Sequence, residues 1–117
     1  MPHYYTYTLR RLLPDIKARG MYTNSLSFTP TEYYSKTQAG QALGVMDHHI
    51  DCVLKFVDDG RFREYHERVP STNRFSGGGL QYGHPGRPKP VAVRNILSRT
   101  WEVLNATNTP TDSGKPE

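Results

Sequence analysis

Three consecutive glycines, residues 77–79, stand directly before Leu80-Gln81-Tyr82. Each glycine loses more backbone freedom on folding than any other residue, so a triplet calls for a compensating role. Bare backbone lets a ligand approach closely and leaves N–H groups uncovered. A strand starting there would send Gln81 to one face and Leu80 and Tyr82 to the other. With Leu80 and Tyr82 packed inward, Gln81 would look into whatever cleft the glycines open. The bland alternative is a flexible turn or bulge.

Other chemistry is sparse. The five histidines are His3, His48, His49, His66 and His84. The adjacent pair His48-His49 would point its rings apart on a strand, and no HExxH or Cys/His spacing occurs, so no metal site is expected. Cys52 is the one cysteine; it lies in an apolar run and reads as a small buried hydrophobe. The GxSxG, GxGxxG and GxxxxGK[ST] patterns are absent. Charge is uneven: residues 61–99 hold eight basic and two acidic side chains, almost all of the basic ones Arg, a block able to meet phosphate or simply to face solvent.

The elements that must position these groups can be read from pattern. HYYTYT, residues 3–8, alternates and reads as a strand. Leu12, Leu13 and Ile16 line a short helix that starts late, because Pro14 fits only a first turn, and stops at Gly20. Residues 25–28 alternate again as a second strand. Thr29-Pro30-Thr31-Glu32 and Ser35-Lys36-Thr37-Gln38 are both capping patterns, which makes 30–43 helical, in one or two pieces. Residues 50–57 form the clearest strand, a central one, with Ile50, Cys52, Leu54 and Phe56 on one side and Val53 and Val57 on the other. Short strands are expected at 80–82 and 91–93. Ile96, Leu97, Trp101 and Leu104 suggest a helix over 94–104. Residues 105–117, polar and rich in Thr, Asn and Pro, read as a disordered tail. The expectation is a single α+β domain over 1–104, with a small mixed or antiparallel sheet and two to three short helices. With 117 residues and 35% apolar content the core is small, and eight tyrosines extend it. No apolar segment approaches membrane-spanning length and no export signal is visible, so a soluble protein is expected, cytoplasmic or delivered as an effector without a signal peptide.

Three segments carry a resemblance: His3-Tyr4-Tyr5-Thr6; then Ser27-Phe28-Thr29-Pro30-Thr31-Glu32-Tyr33-Tyr34-Ser35 followed by Ala39, Ala42, Leu43 and Gly44; then Val69-Pro70 and Gly77-Gly78-Gly79-Leu80-Gln81-Tyr82. In order and spacing they resemble the toxin-type ADP-ribosyltransferase and NAD glycohydrolase domains found in bacterial polymorphic toxins and effectors. The resemblance implies an ADP-ribosyltransferase-like fold, NAD as substrate, a protein or RNA acceptor in the case of transfer, and a neutralising partner protein. It implies that Gln81, Ser27 and Thr29 serve the catalytic ribose, that His3 or Tyr5 contacts the adenosine side, and that Tyr33 or Tyr34 stacks on nicotinamide. It further implies that the backbone at Gly78 and Gly79 lies against the ligand and that Arg61, Arg68 or Arg74 neutralises the pyrophosphate. Many such domains carry Glu where this chain has Gln81. An amide can hold the 2′-hydroxyl, but it brings no full charge to a cationic ribose.

Two other readings stay open. One is an RNA-cleaving toxin-like enzyme using His66 and His84 in acid–base work. The other is a non-enzymatic nucleic-acid- or partner-binding module with Arg on phosphate and Tyr on bases.

Overall fold

The computed structural model describes residues 3–21, 28–65 and 67–104. Residues 25–27 of the strand expected at 25–28, the candidates Ser27 and His66, and the expected tail at 105–117 lie outside the described residues. In chain order the elements are β1 (His3–Thr8), α1 (Leu13–Arg19), α2 (Lys36–Leu43), β2 (Cys52–Val57), β3 (Arg63–Glu64), β4 (Tyr82–Gly83), β5 (Ala92–Asn95) and β6 (Glu102–Val103). Short 3₁₀ turns occupy Arg10–Leu12 and Asp47–His49. The class is α+β, as its mixed strand and helix patterns imply.

Strands β1, β2, β5 and β6 form an antiparallel sheet in the order β1-β2-β5-β6. Tyr5 lies opposite Lys55, Lys55 opposite Ala92, and Ala92 opposite Val103. The period-two pattern sorts side chains to two faces. Cys52, Leu54, Phe56 and Val93 pack with Leu13 and Ile16 of α1 and with Phe28, Phe62 and Leu104. On the other face Tyr5, Tyr7 and Val53 pack with Ala39 of α2, Ile50, Ile96 and Trp101. Strand β2 is thus central and apolar on both sides, with Val57 exposed at its end. Ile50 departs from its expected side, because it precedes the strand and joins the second cluster.

A smaller sheet pairs β3 with β4. Residues 28 and 29 join the two sheets. Thr29 exchanges backbone hydrogen bonds with Tyr5 at 2.8 and 3.0 Å, and Phe28 exchanges them with Tyr82 at 3.3 and 2.7 Å.

Three expectations need correction. Helix α2 begins at Lys36, not at residue 30. Of the two capping patterns the second is used: the Ser35 Oγ accepts the Gln38 N–H at 3.0 Å. The first is overridden because the Thr29 backbone is spent on the ladder with Tyr5, and its Oγ1 instead accepts the Thr31 N–H at 3.3 Å. The expected strand at 80–82 is shorter and later, covering Tyr82 and Gly83. The expected helix over 94–104 does not exist: strand β5 runs to Asn95, turns, and returns as β6. The Asn95 Oδ1 accepts the Leu97 N–H at 3.0 Å and the Asn95 carbonyl accepts the Ser98 N–H at 3.0 Å, an Asx-stabilised turn. Leu97 is 73% exposed, so its apolar character takes no part in a buried stripe.

Candidate functional site

Gly77, Gly78 and Gly79 lie just before Leu80 and Gln81. Their N–H groups are not uncovered. Gly77 donates to the Gln41 carbonyl at 2.7 Å, Gly78 to Val69 at 2.8 Å and Gly79 to Ala42 at 3.0 Å. Gln41 and Ala42 lie in the last turn of α2, where carbonyls have no intrahelical partner. The triplet is therefore a strap that caps α2 and ties it to residue 69. A Cβ at Gly77 would lie 2.6 Å from the carbonyl oxygens of Val69 and Pro70, and one at Gly79 would lie 2.8 Å from that of Ala42. Close approach is required, but by the chain itself. This corrects the expectation that the N–H groups of Gly78 and Gly79 are uncovered, although open space lies where a Gly78 Cβ would go.

A hollow of about 210 Å³ nevertheless lies beside the strap. Strand β1 contributes Thr6, Tyr7 and Thr8, and Met21 and Phe28 line another side. Leu43 and Val45, at the end of α2, and Val69 and Gln81 complete it. Drug-sized ligands usually need roughly 300–1,000 Å³, so this hollow suits one ring and a sugar rather than a whole dinucleotide. The Gln81 Nε2 donates to the Glu67 carbonyl at 3.1 Å. Among the described residues its second N–H and its Oε1 have no hydrogen-bond partner. The Tyr7 hydroxyl donates to the Thr31 carbonyl at 2.9 Å and accepts the Tyr33 N–H at 2.5 Å. Burial pushes the Tyr7 phenol above its ordinary pKa, so it stays a neutral brace between β1 and residues 31–33.

Of the described residues expected at a site, Gln81 is the one found lining this hollow. Thr29 is buried at the junction of the sheets. Tyr5 is buried on the second face and stacks on Trp101 at 5.9 Å. Desolvation, followed by the nearby Glu32 carboxylate, raises the pKa of its phenol. His3 opens β1, and partial burial followed by the Lys55 charge lowers its pKa. Tyr33 packs with Tyr7 at 5.6 Å, while the Tyr34 ring carries the guanidiniums of Arg94 and Arg99 at 4.3 and 4.2 Å. The three arginines expected at the pyrophosphate make contacts outside the hollow. Arg68 donates to the Gly78 carbonyl at 3.0 Å, Arg74 contacts the Met46 Sδ at 3.4 Å, and Arg61 lies against Gly86. None of them lines the hollow.

Sequence reasoning missed Thr6 and Thr8, although the alternation of HYYTYT puts them on one face. It also missed Arg94, whose side chain is wholly buried. Arg94 Nε donates to Glu32 Oε2 at 3.1 Å, Nη1 to the carbonyls of Asn95, Ile96 and Ser98, and Nη2 to that of Tyr33. Its planar fork holds the 95–98 turn against residues 32–33.

His84 is likewise structural. Its Nδ1 accepts the Gly86 N–H at 2.9 Å, so Nε2 carries the proton and donates to Asp59 Oδ2 at 2.9 Å. Both nitrogens are committed to hydrogen bonds inside the fold. His48 and His49 sit on a 3₁₀ turn with ring centroids 4.2 Å apart, not splayed on a strand. Among the described residues no group of three His, Cys, Asp or Glu could hold a metal ion. Burial pushes the Cys52 thiol up to about 12, which leaves it unreactive. Among the described residues no helix is long and apolar enough to cross a membrane. No family model, curated protein or solved structure matches the chain.

Proposed function

We propose that the chain is a toxin- or effector-like enzyme acting on NAD, and that the hollow beside β1 receives the nicotinamide–ribose end of that substrate. One observation carries the reading. The three segments that bear the resemblance, far apart in the chain, are neighbours in space: Tyr5 pairs with Thr29, Phe28 pairs with Tyr82, and Gln81 borders a hollow shared with β1. An ADP-ribosyltransferase-like arrangement would bring such segments together around its substrate.

The chemistry would be cleavage of the bond between ribose C1′ and the pyridinium nitrogen. The bonding electron pair goes to the nitrogen and leaves neutral nicotinamide, while the ribose takes the positive charge. Water then adds to C1′ and loses a proton, which gives ADP-ribose. The free face of the Gln81 amide would hold a ribose hydroxyl, and the apolar lining would keep bulk water from the ring. No carboxylate lines the hollow among the described residues, and water needs no docking site for an acceptor. Hydrolysis therefore asks less of this geometry than transfer to a protein or RNA. A neutralising partner protein belongs to the same reading.

The test is release of nicotinamide from NAD by the purified protein, followed by chromatography. Gln81→Ala is expected to lower kcat/KM at least about tenfold, the loss of an oriented hydrogen bond in the site. NAD left intact by the unaltered protein would defeat the proposal.

A further inference from the structure

Cations and rings alternate along the second face of the sheet. The Arg99 Cζ lies 4.2 Å from the Tyr34 ring centroid, and the Arg94 Cζ lies 4.3 Å from Tyr34 and 5.0 Å from Trp101. The Lys55 Nζ lies 4.2 Å from the Trp101 ring. The middle cation is neutralised: the Arg94 side chain is wholly buried, and Glu32 meets its charge at 3.1 Å. The outer two are not. Among the described residues no carboxylate pairs with Lys55 or Arg99, and neither side chain donates a hydrogen bond. Arg99 is exposed, and Lys55 and both rings are half-buried.

Seating over a ring holds a cation in place without a carboxylate. Part of the rotamer freedom that a loose Arg or Lys would lose on binding is thus already gone. The N–H donors still lack acceptors. Two such fixed cations, in a chain of net charge +4, complement repeated anionic groups. A phosphodiester strand brings one charge per nucleotide and bends to meet both cations, whereas a folded acidic surface must match them at a set spacing. We infer that Lys55 and Arg99 form a docking surface for the phosphate backbone of single-stranded nucleic acid. The rings act by holding the cations, not by stacking on bases. None of these five side chains lines the hollow beside β1, so the surface does not depend on the NAD reading.

The test is fluorescence anisotropy of a labelled single-stranded oligouridylate titrated with the whole chain across a range of salt. On single strands each phosphate contact adds about 0.7 to the steepness of log affinity against log salt. Arg99→Gln, on the exposed turn, is expected to lower the steepness by about 0.7. Lys55→Gln with Arg99→Gln is expected to lower it by about 1.4 and to weaken binding at least about tenfold at about 0.1 M salt. Arg99→Lys keeps the charge and is expected to keep the steepness. Arg11→Gln with Lys17→Gln removes equal charge from the other face of the sheet, where α1 packs, and is expected to leave the steepness unchanged. Circular dichroism checks the folding of each variant. No binding of the oligonucleotide, an equal loss from the Arg11 and Lys17 pair, or equal affinity for polyglutamate overturns the inference. Oligonucleotide binding with NAD left intact would uphold it while the NAD reading falls.

Discussion

At the scale of single residues, His84 and Asp59 form a clasp between the turn after β2 and the loop after β4. His84 is buried against Phe62 and Phe28, with ring centroids at 4.7 and 6.5 Å, and its proton lies toward Asp59. Partial burial works against ionisation of Asp59. The hydrogen bonds from the His84 ring and the Arg61 N–H outweigh it and hold the carboxyl below its ordinary pKa. A depressed carboxyl contributes stability in full above its unfolded value, about 4, and the contribution is lost as pH falls through the lower folded value. Asp59→Asn is therefore expected to lower the thermal midpoint near neutral pH and to flatten its decline below about pH 4. Midpoints measured across that range decide; a decline identical to that of the unaltered chain would remove the clasp from acid stability.

At the scale of elements, the glycine strap makes a ranking possible. Gly77 has φ +71° and two carbonyl oxygens where a Cβ would go, and Gly79 has a carbonyl and the Leu43 side chain there. Gly78 has φ +91° but open space. Gly78→Ala is expected to cost about 1 kcal/mol, from backbone strain alone. Gly77→Ala and Gly79→Ala are expected to cost about 2–4 kcal/mol, since the strap must lift from α2 and leave its capping bonds. Denaturant midpoints give the order. Equal costs at all three positions would mean that the strap does not need its contact with α2. The strap also explains a misreading: a glycine run before a strand looks alike whether the close partner is a ligand or a helix end, because both need backbone without Cβ.

At the scale of the whole molecule, Arg94 holds distant parts of the chain together, 62 positions from Glu32 in sequence. Arg94→Ala would leave Glu32 without its ion-pair partner and release four carbonyls. A loss of about 3–5 kcal/mol is expected, much of the stability of a domain this size. Urea unfolding should show a lower midpoint, and a change under about 1 kcal/mol would deny Arg94 this role. Much of the fold was legible beforehand. HYYTYT announced β1 to the residue, CVLKFV announced a central strand, and Ser35 with Gln38 marked the start of α2, because alternation and capping are local effects. The 94–104 region was not legible, because helical spacing of Ile96, Leu97 and Trp101 says nothing of a guanidinium that gathers the carbonyls of the turn.

Local chemistry thus determined the class of the protein, its central strand, its inert cysteine and the position of Gln81 after a glycine run. Tertiary structure alone decided which capping pattern was used, what the glycine N–H groups bond, and that Gln81 shares a hollow with Thr6 and Thr8 rather than with any of Arg61, Arg68 or Arg74. The physical reason is range. Periodicity and caps are set within a few residues, whereas the partner of an N–H or a guanidinium depends on which distant carbonyl the packed sheets bring within about 3 Å.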